Sequence, residues 1–204
     1  MAIKNLIFDF GKVLVDYDFK AFLLSITKDE ERMEEFFKML SDEDFITQSD
    51  LGIIAFPQLI ANMQQEFPQW HDELQEFIDR HIDAMTGEVS GMRDVLIRMR
   101  ERGYKLYGLT NWSCAVYQVR EKYDILKMMD GTVISSEEKM VKPDVAIYER
   151  LCRRFGLKPE ECLFTDDRPV NVEGAKKAGM HAVVFTDAAQ YEKDAEYILS
   201  LNKI

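Results

Sequence analysis

Apolar positions along the chain fall into two rhythms. Ile3 and Leu6-Ile7-Phe8 form a short, nearly continuous apolar run, which predicts a strand buried on both faces of a parallel sheet. Between Phe19 and about Met85 the spacing turns helical. Met33, Phe36, Phe37 and Leu40 recur at i, i+3, i+4 and i+7, and so do Phe56, Leu59, Ile60 and Met63. Leu74, Phe77, Ile78 and Ile82 give a third stripe, and Asp50-Leu51-Gly52 and Phe67-Pro68 punctuate between them. No strand is expected here. The region reads as a bundle of short helices inserted after the first strand, with polar faces such as Asp29-Glu30-Glu31-Arg32 in solvent.

The second half alternates. Helical segments at Met92–Arg102, Val145–Phe155 and Val172–Ala178 each meet a glycine: Gly103, Gly156 and Gly179. Glycine after a helix supplies the left-handed residue that ends it. Short apolar strands follow at Tyr104–Leu109, Cys162–Phe164 and His181–Phe185, with a further one at Val133-Ile134 and a closing helix at Ala188–Leu201. Alternation of this kind requires crossovers. The expected fold is therefore α/β, a Rossmann-like parallel sheet with helices on both faces, plus the inserted helical bundle. Residues 1–16 and 87–204 would form the core domain, and 17–86 the insert.

Composition narrows the partners. The 204 residues suffice for one core with a modest insert, and the formal net charge of −11 disfavours nucleic acid or an anionic membrane. Cys114, Cys152 and Cys162 form an odd, scattered set with no close pair, which fits a reduced cytoplasmic chain. No signal segment or membrane-spanning run is visible.

Strand ends in such a sheet gather on one edge, where open α/β folds bind ligands. Asp9 ends the first apolar run, with Phe10 and Gly11 behind it; Gly11 lets backbone approach a ligand. Thr110-Asn111-Trp112-Ser113 follows the second strand, either an anion site or an ordinary helix cap with Ser113. Lys142, directly before Pro143, is a cation on extended backbone. Asp166-Asp167 closes a buried strand, and adjacent carboxylates there call for a cation; Mg²⁺ takes such oxygen ligands.

An Asp, a Thr-Asn, a Lys-Pro and an Asp-Asp in this order resemble the motifs of the haloacid dehalogenase-like (HAD) hydrolase superfamily, over nearly the whole chain. The resemblance implies that the helical insert is a cap. It implies that Asp9 is a nucleophile that becomes an aspartyl phosphate, and that Thr110 and Asn111 hold phosphoryl oxygens. Lys142 would neutralise charge on nucleophile and phosphate. Asp167, with Asp166 directly or through water, would hold Mg²⁺ together with Asp9 and the Gly11 carbonyl. The run from Asp9 to Asp18 and the run Asp166-Asp167-Arg168-Pro169-Val170-Asn171 look similar to the branch containing α-D-glucose-1-phosphate phosphatases. There Asn171 would order the metal-site loop; its other reading is a helix-start residue. The implied activity is a Mg²⁺-dependent phosphatase of a small phosphorylated metabolite, such as a sugar 1-phosphate.

One position departs from that pattern. Most phosphatases of the superfamily carry a second Asp two residues after the nucleophile, as general acid and base; here Gly11 stands there. Either another group supplies the proton, with Asp16 or Asp18 first in line, or the leaving group needs little protonation, or the enzyme is slow. Gly11 counts against a phosphomutase, and Asp166-Asp167 against metal-free dehalogenation. It keeps open a phospho-ligand binding protein of weak turnover. His71, His81, His181 and Cys114 have no clustered partners in the sequence, and Trp112 would face the substrate or pack under the insert.

Overall fold

The computed structural model describes residues 2–201; Met1 and residues 202–204, the extremities of the expected core, lie outside the described residues. The first apolar run forms β1 (Asn5–Phe8), all four residues buried. A two-stranded antiparallel ribbon follows, made of β2 (Val15–Tyr17) and, beyond the insert, β3 (Met85–Glu88). Between them lie five helices: α1 (Phe19–Thr27), α2 (Glu30–Leu40), α3 (Glu43–Leu51), α4 (Phe56–Glu66) and α5 (His71–Arg80).

The expected stripes lie on α2, α4 and α5, where Phe36, Ile60 and Leu74 are almost fully enclosed. Ile82 falls past the end of α5, in a short 3₁₀ turn over His81–Ala84. Helix starts carry the chemistry that satisfies free N–H groups. Asp18 accepts from the Ala21 N–H at the start of α1, and Asp29 from the Arg32 N–H at the start of α2. The ribbon brackets the stretch where no strand is expected, β2 ending before Phe19 and β3 beginning at Met85; its strands are only three and four residues long and half-buried.

The second half runs α6 (Met92–Glu101), β4 (Lys105–Thr110), α7 (Val116–Lys122), β5 (Gly131–Ile134), α8 (Ser135–Glu138), α9 (Val145–Phe155), β6 (Cys162–Asp166), α10 (Pro169–Lys177), β7 (His181–Val184) and α11 (Ala188–Leu201). The five core strands pair in parallel in the order β5-β4-β1-β6-β7. Chain order reverses around β1, which places a crevice beyond the carboxyl ends of β4, β1 and β6.

Alternate residues of the strands face two cores. Ile7, Leu109, Val133 and Phe164 pack with Ile147, Tyr148 and Leu151 of α9. On the opposite face Leu6, Phe8, Leu106 and Leu163 pack with α6 and α11 side chains such as Leu96 and Tyr191. That second cluster continues without a break into the insert, through Val13, Leu14 and Val15 to Phe22, Leu23 and Phe36. Among the described residues no helix is long and apolar enough to cross a membrane.

Candidate active site

The crevice collects the ends of three adjacent strands. Asp9 follows β1, Thr110 ends β4 and Asp166 ends β6. Lys142 arrives from the loop between α8 and α9 and is buried among them. Its Nζ lies 2.9 Å from Asp9 Oδ1 and 2.6 Å from Asp166 Oδ2.

The Lys142 backbone is clamped. Its N–H donates to Asn111 Oδ1 at 2.8 Å, and Asn111 Nδ2 donates to its carbonyl at 3.0 Å. A second constraint comes from α10: a Cβ on Gly174 would sit 2.5 Å from the Pro143 carbonyl oxygen. Only a residue without a side chain lets that helix lie so close. Asp166 is fully enclosed and firmly oriented, for Asn171 Nδ2 reaches both its oxygens at 3.0 and 3.1 Å and the Arg168 N–H donates to Oδ1 at 2.9 Å. Asn171 lies in the first turn of α10, its carbonyl accepting from the Tyr148 hydroxyl at 2.7 Å.

Negative charge is in surplus. Oxygens of Asp9, Asp166 and Asp167 all lie within 4.8 Å of one another, with Lys142 as the buried cation among them. Burial, with the Asp166 charge adding to it and Lys142 opposing, pushes the Asp9 carboxyl up to about 6. Burial and Asp166 raise Asp167 as well. The Lys142 ammonium is penalised by burial, but Asp9 and Asp166 outweigh that and hold it charged. Three hard oxygen donors with one compensating ammonium suit a divalent cation such as Mg²⁺. Asn171 Oδ1, buried in the same place, has no partner among the described residues and is free to accept a further hydrogen bond.

Around this cluster opens a chamber of about 950 Å³ between core and insert. Thr110 and Gly11 line it on the core side, and Phe37, Phe45 and Phe56 are among the side chains on the insert side. The position left bare by Gly11 is filled from the ribbon. A Cβ there would meet the Tyr17 ring at 3.2 Å and that of Trp112 at 4.0 Å. Trp112 thus faces the site rather than packing only under the insert.

The two first-choice proton donors are otherwise engaged. Asp16 accepts from Lys12 Nζ at 2.6 Å and from the Tyr17 N–H at 2.8 Å, and the Lys12 hydrogen bond lowers its pKa. Asp18 spends its carboxylate on the cap of α1. The structure adds Asp50, Tyr17 and Arg168 to the chamber wall. Arg168 carried a signal, standing directly after the acidic pair; Asp50 carried none, being a turn residue in a helical stretch. Asn111, expected at the phosphate, spends its side-chain amide on Lys142. Ser113 does accept from the Ala115 N–H, at 3.3 Å, just before α7. His81 Nδ1 binds the Ile78 carbonyl at 2.9 Å, His71 sits beside Asp72, and Cys114 is exposed.

These motif residues lie within a longer stretch that matches known proteins. The family model for haloacid dehalogenase-like hydrolases matches residues 6–185. Glyceraldehyde 3-phosphate phosphatase from Pyrococcus furiosus is 30% identical over 116 residues, 54% of this chain and 47% of that protein. The chain spans less than half the length of such partial matches. D-ribitol-5-phosphate phosphatase from Bacteroides thetaiotaomicron is 24% identical over 97% of this chain and 99% of its own length. A HAD-family enzyme from the same organism, crystallised with magnesium and inorganic phosphate, shares the fold at a TM-score of 0.74 and 22% identity, over 91% of this chain and 95% of that one. With a family match running from β1 to the end of the sheet, the chain belongs to the haloacid dehalogenase-like hydrolases.

Proposed function

We propose that the protein is a Mg²⁺-dependent phosphatase of a small phosphorylated metabolite, working through an aspartyl phosphate on Asp9. The observation that carries this reading is the buried Asp9–Lys142–Asp166 array, whose Asp9 and Lys142 line a chamber large enough for a phosphate ester. The phosphatase relatives and the magnesium–phosphate complex of the Bacteroides enzyme support it.

Asp9 is the nucleophile toward phosphorus. Lys142 screens the repulsion between that carboxylate and the incoming phosphate, and the Asn111 clamp keeps the ammonium in place. The Thr110 hydroxyl and the backbone at Asn111 orient the phosphoryl oxygens. Asp9, Asp167, the Gly11 carbonyl and Asp166, directly or through water, hold the metal, and Asn171 orders that loop through Asp166. Mg²⁺ supplies charge neutralisation on phosphate and nucleophile. Residues 17–86 act as a cap over the core of 1–16 and 87–204, excluding water until the phosphoenzyme forms. The three free cysteines suit a reducing compartment, and we place the protein in the cytoplasm.

Two substrate types compete. The sequence resemblance favours a sugar 1-phosphate, whose anomeric leaving group needs little protonation. The phenylalanine-lined insert side of the chamber favours an alcohol with an apolar body. Phosphate release from α-D-glucose-1-phosphate and from phenyl phosphate, each with Mg²⁺ or with chelator, separates them. Release should require metal and vanish in Asp9→Asn. Release that survives Asp9→Asn refutes the mechanism, and none from any phosphate ester leaves a phospho-ligand binding protein.

A further inference from the structure

We propose that Asp50, carried by the helical insert, is the general acid and base for the leaving group, in place of the carboxylate absent at Gly11. This rests on the phosphatase reading above. Asp50 is the penultimate residue of α3 and lines the chamber together with Asp9, Lys142 and Arg168. Its carboxylate makes no hydrogen bond or ion pair among the described residues, unlike Asp16 and Asp18.

Its backbone, by contrast, is fixed to the core. The Asp50 carbonyl accepts from Ser135 Oγ at 2.5 Å, and that same Oγ accepts from the Trp112 N–H at 2.9 Å. Two residues on, Lys139 Nζ donates to the Gly52 carbonyl. A Cβ on Gly52 would come within 2.7 Å of Ser136, so the turn lies directly against α8. An unpartnered carboxylate on a doubly anchored turn is positioned for a ligand.

Burial pushes the Asp50 carboxyl up to about 6, with Lys142 and Arg168 opposing. A value near neutrality suits a group that must both give and take a proton. The Tyr17 phenol, the other candidate beside Gly11, is pushed up to about 12 by burial and the nearby carboxylates. It can donate but holds its proton too tightly to cycle readily near neutral pH.

The balance closes over two steps. As Asp9 attacks phosphorus, the bond from phosphorus to the ester oxygen breaks, and the Asp50 proton passes to that oxygen to release a neutral alcohol. Asp50, now a carboxylate, takes a proton from the water that attacks the acyl phosphate. The Asp9–phosphorus bond breaks, inorganic phosphate leaves, and both carboxyl groups return to their starting states.

The test compares kcat/KM for p-nitrophenyl phosphate, whose leaving group is acidic, with that for phenyl phosphate, whose leaving group is not. Asp50→Asn should lower the phenyl value by about 10²–10⁴-fold and the nitrophenyl value by at most about tenfold. Asp50→Glu should keep most of the wild-type ratio and guards against a folding defect in the amide variant. Equal losses on both esters overturn the acid role while leaving the Asp9 chemistry intact. So does a leaving-group dependence that steepens in Tyr17→Phe and not in Asp50→Asn. Hydrolysis untouched by Asp9→Asn, or hydrolysis by the wild type of neither these esters nor α-D-glucose-1-phosphate, removes the phosphatase reading and Asp50's role with it.

Discussion

Asp50 should leave a thermodynamic trace as well as a kinetic one. Its folded-state pKa of about 6 lies above the ordinary 3.8, so the folded protein binds that proton more tightly than the unfolded chain. The stability it contributes is full below pH about 4 and is lost as pH rises through about 6. Asp50→Asn should therefore be more stable than wild type by about 1–3 kcal/mol at pH 7.5, with the gain shrinking toward pH 4. Urea denaturation of both proteins across that range measures it; a gain independent of pH would show that the carboxyl is not buried as described. Asp9, Thr110, Lys142 and Asp166-Asp167 stood out in the sequence because each closes a strand or precedes a proline. Asp50 did not, because its place at the chamber depends on how α3 docks on α8, a contact between residues 85 apart in sequence. Asn111 was visible as a site residue, yet its amide's grip on Lys142 spans 31 positions that no local pattern encodes.

At the scale of elements, α10 and the Lys142-Pro143 loop are a matched pair. Gly174→Ala places a methyl group against the Pro143 carbonyl, 2.5 Å away, where backbone has little room to yield. Overpacking of this kind costs about 1–3 kcal/mol. Because the loop carries Lys142 and the helix carries Asn171, the variant should also lose phosphate release, with a smaller effect on KM than on kcat. A stability loss without any change in kcat would mean that the loop and Lys142 move independently. The long core elements were readable from sequence, since β1, β4, β6 and their helices have either continuous apolar runs or full helical stripes. The β2–β3 ribbon was not. Its first strand ends at Tyr17 and its second begins at Met85, with the five insert helices between them. Only tertiary pairing brings the two strands together.

At the scale of the whole molecule, α3 meets α8 across a small polar seam. Ser135→Ala removes the donor to the Asp50 carbonyl, and Lys139→Ala removes the one to Gly52. Each lost hydrogen bond is worth about 0.5–1.5 kcal/mol. Hydrogen exchange at residues 50–52 should speed up by roughly 2–12-fold in either variant, with exchange at β1 and β4 unchanged. Uniform acceleration over the sheet would show instead that the seam holds up the global fold.

The apolar cluster that joins the sheet to the insert limits what opening can look like. Every 100 Å² or so of such surface exposed to water costs about 2.5 kcal/mol. A wide swing of the insert would tear that shared interior apart, whereas parting the seam beside Asp50 breaks two hydrogen bonds. Parting the α3–α8 seam is therefore the cheaper movement of the insert, and since Asp50 rides on that seam, such a movement would carry its carboxylate away from the chamber wall.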